Sequence, residues 1–222
     1  MKKKLLIKYK LLFNIYLLYC YFKFNFFSKK TYSQFGEDII INKYFKNFIG
    51  KFVDIGCYHP IKYSNTALLY KKGWSGINID LNKTSIDLFN FTRLRDKNIL
   101  ACLSNREKII DIYIHNEFSA LNSINNDNIK KFKIKKYQKI KIKTKVFSSI
   151  VKEKFDFLNI DCEGNDYNIL KTINLKKFKP KIICIEVSKR NKKFIYKYLN
   201  TNYYKLLTTR SLSHIFKYTK KN

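Results

Sequence analysis

The sequence predicts an α/β fold. Short apolar runs of strand length alternate with helix-length segments along most of the chain, the first run ends in Gly and the second in an acid, and the last two runs lie close enough to form a hairpin. Gln34 to Asn47 carries Ile39, Ile40, Ile41, Tyr44 and Phe45 at roughly helical spacing, a helix expected to cover the first strand. That strand is Lys51 to Ile55, and Gly56 suits a tight turn toward a helix. Asn65 to Lys71 reads as that helix, Lys72-Gly73-Trp74 as a turn, and Ser75 to Ile79 as a second strand closed by Asp80. Thr84 to Leu94 is the next helix, capped by Asn82 or Thr84. Asn98 to Leu103 is a third strand, and Ile109 to His115 opens an extension.

Asn116 to Lys136 is polar and Asn-rich, as expected of a loop over a site. Lys139 to Val146 alternates Lys with Ile, Thr and Val, the period-two pattern of an edge strand whose lysines form a solvated face. Phe155 to Ile160 is a fourth strand, Asp166 to Lys171 a helix, and Lys181 to Val187 a fifth strand with Glu186 near its end. Tyr203 to Thr208 and His214 to Tyr218 form a closing antiparallel hairpin.

The first two strands have the layout of a nucleotide-cofactor site. Asp80 falls about twenty residues beyond the first turn, where α/β cofactor folds bind ribose hydroxyls. Asp54-Ile55-Gly56-Cys57-Tyr58-His59-Pro60 lacks the further glycines of a dinucleotide loop, so a pyrophosphate would be poorly served.

Several strings, in order, resemble one family. Ser33-Gln34-Phe35-Gly36-Glu37-Asp38, then Phe52-Val53-Asp54-Ile55-Gly56 with His59-Pro60 and Ser64-Asn65-Thr66, then Lys72-Gly73-Trp74-Ser75-Gly76-Ile77-Asn78-Ile79-Asp80, then Asp161-Cys162-Glu163-Gly164 are similar to the FkbM-type methyltransferases. Ser119-Ala120-Leu121-Asn122-Ser123 also looks like the family. The resemblance runs from about Tyr32 to the chain end. It implies an S-adenosylmethionine-dependent methyltransferase with a Rossmann-like class I sheet, mostly parallel, seven-stranded and closed by a C-terminal antiparallel hairpin. The implied acceptor is a hydroxyl of a sugar, glycan or related small molecule. Where the family often has His after Glu-Gly, this chain has Asn165, which leaves that position's role open.

Methyl transfer to a hydroxyl needs an in-line acceptor and a group that takes its proton. Asp161, Glu163 and His59 are the catalytic candidates; Asp161 and Glu163 lie at the carboxyl end of the fourth strand, where open α/β sheets hold their ligands. Two residues apart on a strand, these carboxylates would share a face. Each has a structural alternative: a cap of the following helix for the acids, a loop histidine bonded to its neighbours for His59. On the cofactor side stand Asp54, Gly56 and Asp80, with Glu37, Asn65 and Ser104. Glu37 reads equally as a first-turn acid satisfying the helix dipole. No metal is assigned, although Glu163 could also bind one shared with substrate.

Composition fits one folded domain. The 222 residues are 45% hydrophobic and 17% aromatic, which argues against disorder despite a net charge of +30. Only five of the 46 basic residues are Arg, and Ile, Asn, Tyr and Phe abound, the profile of AT-rich coding. Nucleic acid is therefore not the expected partner, although an RNA methyltransferase and a non-catalytic basic binding protein stay open as alternatives. A basic surface would still attract phosphates, acidic glycans or anionic lipids. Five cysteines at odd count, with no paired ligand spacing, read as buried small hydrophobes in a reduced, cytoplasmic setting.

We divide the chain into an N-terminal segment, residues 1–28, and a methyltransferase-like domain, residues 29–222. Met1 to Lys10 is basic; Leu11 to Phe27 is apolar and aromatic but interrupted by Asn14, Lys23 and Asn25, which makes it a flawed membrane span. It also lacks the small-residue cleavage site of a secretory signal. A helix lying on a membrane surface or packed on the domain is the expectation.

Overall fold

The structure, a computed structural model, describes residues 10–25, 30–114 and 138–220. The expected loop Asn116 to Lys136, with Ser119 to Ser123, lies outside the described residues. After α1 (Lys10–Asn25) come α2 (Glu37–Phe45), β1 (Lys51–Ile55), α3 (Ala67–Lys71), β2 (Ser75–Asp80), α4 (Lys83–Thr92) and β3 (Lys97–Leu100). β4 (Ile109–Ile114) and β5 (Gln138–Lys143) follow, then α5 (Phe147–Ile150), β6 (Phe157–Ile160), α6 (Asp166–Leu170) and α7 (Leu175–Phe178). β7 (Ile182–Glu186), α8 (Lys192–Thr201), β8 (Tyr204–Arg210) and β9 (Ser213–Tyr218) complete the chain.

Seven strands form one sheet in the order β3-β2-β1-β6-β7-β9-β8. β3 to β7 pair in parallel, and β9 and β8 run antiparallel at the far edge, as the sequence predicts. Asn82 caps α4 by accepting from the Thr84 amide at 2.9 Å. The alternating Lys-rich segment is an edge strand of a different kind. β5 pairs only with β4 in a separate two-stranded ribbon, where Lys139 meets Asp111 at 2.9 Å and Lys143 meets Glu107 at 3.2 Å. The short α7 and the longer α8, for which no element was expected, pack Leu175, Phe178, Ile195 and Leu199 into the core.

Strand periodicity sorts the central residues onto two faces. Val53, Ile55, Leu158, Ile160, Ile183 and Ile185 point to the side covered by α5 to α8. Phe52, Phe157, Ile182 and Cys184 point to the side of α2 and α3, joined by Ile41, Phe45, Leu69 and Trp74. On that second side Asp54 is in register with Asn78 and Asn159, and Asn159 with Cys184, so a buried polar row crosses the sheet just below its carboxyl edge.

Candidate functional site

A cleft of about 1040 Å³, its open mouth included, lies at the carboxyl ends of β1, β2 and β6. Asp54, Gly56, Asn65, Asp80, Asp161 and Glu163 line it, so six of the nine expected site residues meet there. Glu37, His59 and Ser104 do not line it.

Gly56 makes the close turn possible. Its φ is +79°, its amide donates to the Ile79 carbonyl at 2.9 Å, and a Cβ there would fall 1.8 Å from the Asp161 carbonyl oxygen. The backbone leaving β1 thus lies against the backbone leaving β6, as a residue with a side chain could not. Across the cleft Asp80 accepts from the Tyr58 amide at 2.9 Å and, through its other oxygen, from the Asn82 amide at 2.7 Å. Burial pushes its carboxyl up to about 6, against the pull of those amides. With the Leu81 amide bonded to it as well, the carboxylate keeps acceptor capacity for a hydroxyl donor.

Asp54 is the floor. One oxygen accepts from Asn159 at 2.8 Å and the other from the Thr66 hydroxyl at 2.8 Å. Burial raises its pKa against those two bonds and the Arg93 charge. Asn159 in turn accepts from the Asn65 amide group at 2.9 Å. The buried Asn65 Oδ1 and Ser85 Oγ have no hydrogen-bond partner among the described residues, and both residues line the cleft.

Arg93 stands behind this floor. Fully buried, it donates to Thr66 at 2.9 Å, to Ser64 at 3.0 Å and to the Pro60 carbonyl at 2.6 Å, and lies 3.7 Å from Asp96. One cation therefore holds the loop after β1 and, through Thr66, the Asp54 carboxylate. Burial lowers its pKa, but an arginine starts so high that it stays charged.

The acidic side differs from the expectation drawn from strand periodicity. β6 ends at Ile160, and Asp161 to Gly164 is a turn in which Glu163 has φ +49° and Gly164 φ +96°, so the two-residue rule does not apply. The carboxylate that fastens the turn is Asp166, which accepts from the Cys162 amide at 2.7 Å and the Gly164 amide at 3.0 Å. Asp161 gathers with Asp166 and Glu186 instead; one carboxylate oxygen of each lies within 4.8 Å of the others. That spacing would also admit a cation, at Asp161, Asp166 and Glu186 and not at Glu163, where the sequence left one open. Burial together with Glu186 pushes Asp166 up to about 7. Asp161 keeps solvent access, yet the surrounding protein and then Asp166, Glu186 and Glu163 raise it well above the usual carboxylate range. Carboxylates this close raise one another's proton affinity.

His59 is placed as a loop histidine. Its Nδ1 accepts from the amides of Ile61 and Lys62, both at 3.0 Å, so the proton sits on Nε2, which faces the Cys20 carbonyl at 3.4 Å. Burial lowers its pKa to about 4. Glu37 accepts from the Phe35 amide at 2.8 Å in the first turn of α2. Ser104 is buried, its hydroxyl donating to Asn105 at 3.3 Å. Asn165, at the open position, donates to the Leu103 carbonyl at 3.1 Å and lines the cleft. The five cysteines are free thiols.

Sequence reasoning passed over Asn159, Arg93 and Ser85. A signal existed for two of them: Asn159 is polar within the apolar run Phe157 to Ile160, and Arg93 is one of five arginines where lysine is the rule.

An open sheet of this order, with a cleft across the ends of its central strands and an acid closing the second, defines the Rossmann-like methyltransferase class. Residues 54–218 match the FkbM methyltransferase domain, and the chain belongs to that family. The crystal structure of the FkbM methyltransferase of Methylobacillus flagellatus is similar at 13% identity and a TM-score of 0.51, over 77% of this chain and 44% of that one. This chain thus spans less than half of that protein. Looser likeness extends to a Burkholderia thailandensis toxoflavin-precursor N1-methyltransferase with bound S-adenosylhomocysteine, at 9% identity and TM-score 0.44 over 83% and 77% of the two chains. A putative RNA methyltransferase of Pyrococcus horikoshii is alike at 10% identity and TM-score 0.45 over 87% and 93%. No curated protein sequence matches the chain.

Proposed function

We propose that this chain is an S-adenosylmethionine-dependent O-methyltransferase acting on a hydroxyl of a sugar or related small molecule. The observation that carries the reading is the meeting, in one cleft, of a cofactor-type acid at the end of β2, Asp80, with Asp161 and Glu163 just beyond the end of β6. The cofactor fits on this chain's own terms. Gly56 lets the chain leaving β1 close against Asp161, Asp80 keeps acceptor capacity for a ribose hydroxyl, and Asn65 Oδ1 and Ser85 Oγ offer partners to polar groups of a bound molecule. When bound, S-adenosylmethionine supplies an already activated methyl group.

The protein's task is then to orient the acceptor oxygen and take its proton. Asp161 is the base we assign: it lines the cleft, and the surrounding protein with Asp166, Glu186 and Glu163 raises its proton affinity. Glu163 lies beside it for acceptor hydroxyls. His59 lacks access, and its acceptor nitrogen is already used by two amides.

Calorimetric titration of the full chain with S-adenosylmethionine, beside Asp80→Ala and Asp161→Asn, tests this. Binding lost in Asp80→Ala but kept in Asp161→Asn, with methyl transfer to sugar acceptors lowered in Asp161→Asn, is the expected outcome. A folded chain that binds no cofactor would overturn the reading. The net charge favours RNA as a second acceptor, and methyl label appearing in RNA rather than sugars would establish that instead.

A further inference from the structure

We infer that α1 seats the protein on an anionic lipid surface, lying in the interface without crossing it. This inference stands apart from the methyl-transfer reading and rests on the two faces of one helix. Phe13, Tyr16, Leu17, Cys20 and Tyr21 form one side of α1, which packs on Leu88 and Phe91 of α4. At 100° per residue, Leu11, Leu12, Ile15, Leu18, Tyr19 and Phe22 fall within a single arc of about 120° on the opposite side. All six are exposed, from 38% at Leu18 to 73% at Leu11. A surface helix normally turns polar residues to water; this one is apolar on both sides. A contiguous apolar strip of this kind marks an interaction site.

Three observations select lipid as the occupant. The strip is flanked by cations, with Lys2, Lys3, Lys4, Lys8 and Lys10 before it and Lys23, Lys29 and Lys30 at or after its end, matching an anionic headgroup layer. A second copy would bring the same lysines and the same +30 charge against them. The face is also small for a protein partner: 16 residues of helix extend about 24 Å, and the one exposed side of that falls short of the roughly 800 Å² per partner of a stable protein interface. No helix among the described residues is long and apolar enough to cross a membrane. The docked helix also touches the site's surroundings, because the Cys20 carbonyl faces His59 Nε2 in the loop whose Tyr58 and Tyr63 line the cleft.

The test is co-sedimentation of the full chain with vesicles of phosphatidylcholine alone, and with phosphatidylglycerol added. A protein this basic will be drawn to anionic vesicles by charge, so the decisive arm is run at ~1 M salt, where the screening length is about 3 Å. The inference expects the chain to stay on phosphatidylglycerol vesicles there. It expects the triple variant Ile15→Ser/Leu18→Ser/Phe22→Ser, outward-facing and away from α4, to be at least about tenfold weaker, for three lost apolar side chains. A Phe22→Trp variant gives a second reading that does not depend on the triple variant's folding: its emission should be quenched by brominated acyl chains. Release of the wild-type chain in high salt, no quenching, or a stable dimer that binds no vesicle would each overturn the inference.

Discussion

The two faces of the central sheet differ in the row nearest the cleft, apolar on one side and polar on the other. Toward α5 to α8, β1, β6 and β7 present Val53, Ile55, Leu158, Ile160, Ile183 and Ile185, and the core there is apolar throughout its strand rows. Toward α2 and α3 the same strands and β2 present Asn78, Asp54, Asn159 and Cys184 in one register row, with Asn65, Thr66 and Arg93 added from outside the sheet. One face stabilises by removing carbon from water in every row; the other adds to its apolar cluster a polar network in which Asn65 Oδ1 and Asn78 Oδ1 have no partner among the described residues. The network lies where the cleft opens, and the apolar face holds it still.

The largest effect that would break this contrast is removal of Arg93, the one buried lysine or arginine among the described residues. Arg93→Ala leaves Asp96, Ser64, Thr66 and the Pro60 carbonyl short of a donor, and should cost about 3–5 kcal/mol, as stripping one partner from a buried ion pair does. Urea unfolding monitored by circular dichroism reads this directly. Lysine should not rescue it, because a single ammonium cannot reproduce the planar fork that reaches three acceptors. A loss below about 1 kcal/mol would mean that the row is solvated and not a network.

Neighbouring residues on β6 put the two faces side by side. Leu158→Ala should destabilise by about 2–5 kcal/mol and leave cofactor affinity in the folded fraction unchanged. Asn159→Ala, one residue on, should cost about 1–3 kcal/mol by leaving Asp54 and Asn65 without a shared partner. Calorimetry should find its cofactor binding weakened as well. If both variants lost affinity equally, the division between a supporting face and a functional face would fail.

The apolar face was legible in the sequence because continuous runs such as Ile182 to Ile185 admit one reading, a strand covered on both sides. The hairpin and the acid at Asp80 were legible for the same reason, since each is a local pattern. The polar row was not. Its members are spread from Asp54 to Cys184 and meet through parallel register, which no local pattern encodes. The pairing of Asp161 with Asp166 and Glu186 was hidden because the strand stops at Ile160 and a turn with Glu163 at positive φ takes over. His59 sat within the family-like string, yet its ring serves the loop and not the cleft.

The carboxylate group gives a smaller, pH-dependent test. Asp80 and Asp166 have folded pKa values raised to about 6 and about 7, so between the ordinary carboxylate value near 4 and those values the folded state binds more protons than the unfolded one. Stability from these groups is therefore full below about pH 4 and declines as pH rises toward 7. The +30 charge grows on acidification and opposes this in the whole protein, so the informative quantity is a difference. Asp166→Asn should fall less in stability than wild type between about pH 5 and about pH 8, even if its absolute stability is lower for losing one amide bond of the turn. Parallel pH profiles would show that the Asp166 proton is not held as the cluster geometry requires.

The smallest expected effect belongs to the ribbon, where charge is paired at the surface and not in the interior. Lys139 and Asp111 meet at 2.9 Å with side chains 53% and 38% exposed, a contact shorter than the Arg93–Asp96 approach at 3.7 Å. Distance alone would rank it first. Solvent reverses the order, because water screens both partners of the exposed pair and can replace either one. Lys139→Ala should therefore change the stability read from urea unfolding by no more than about 1 kcal/mol, and that change should shrink with added salt. The Arg93→Ala loss should persist in the same salt, since no counter-ion reaches its acceptors. It is burial, and not the length of a contact, that decides which charges hold this molecule together.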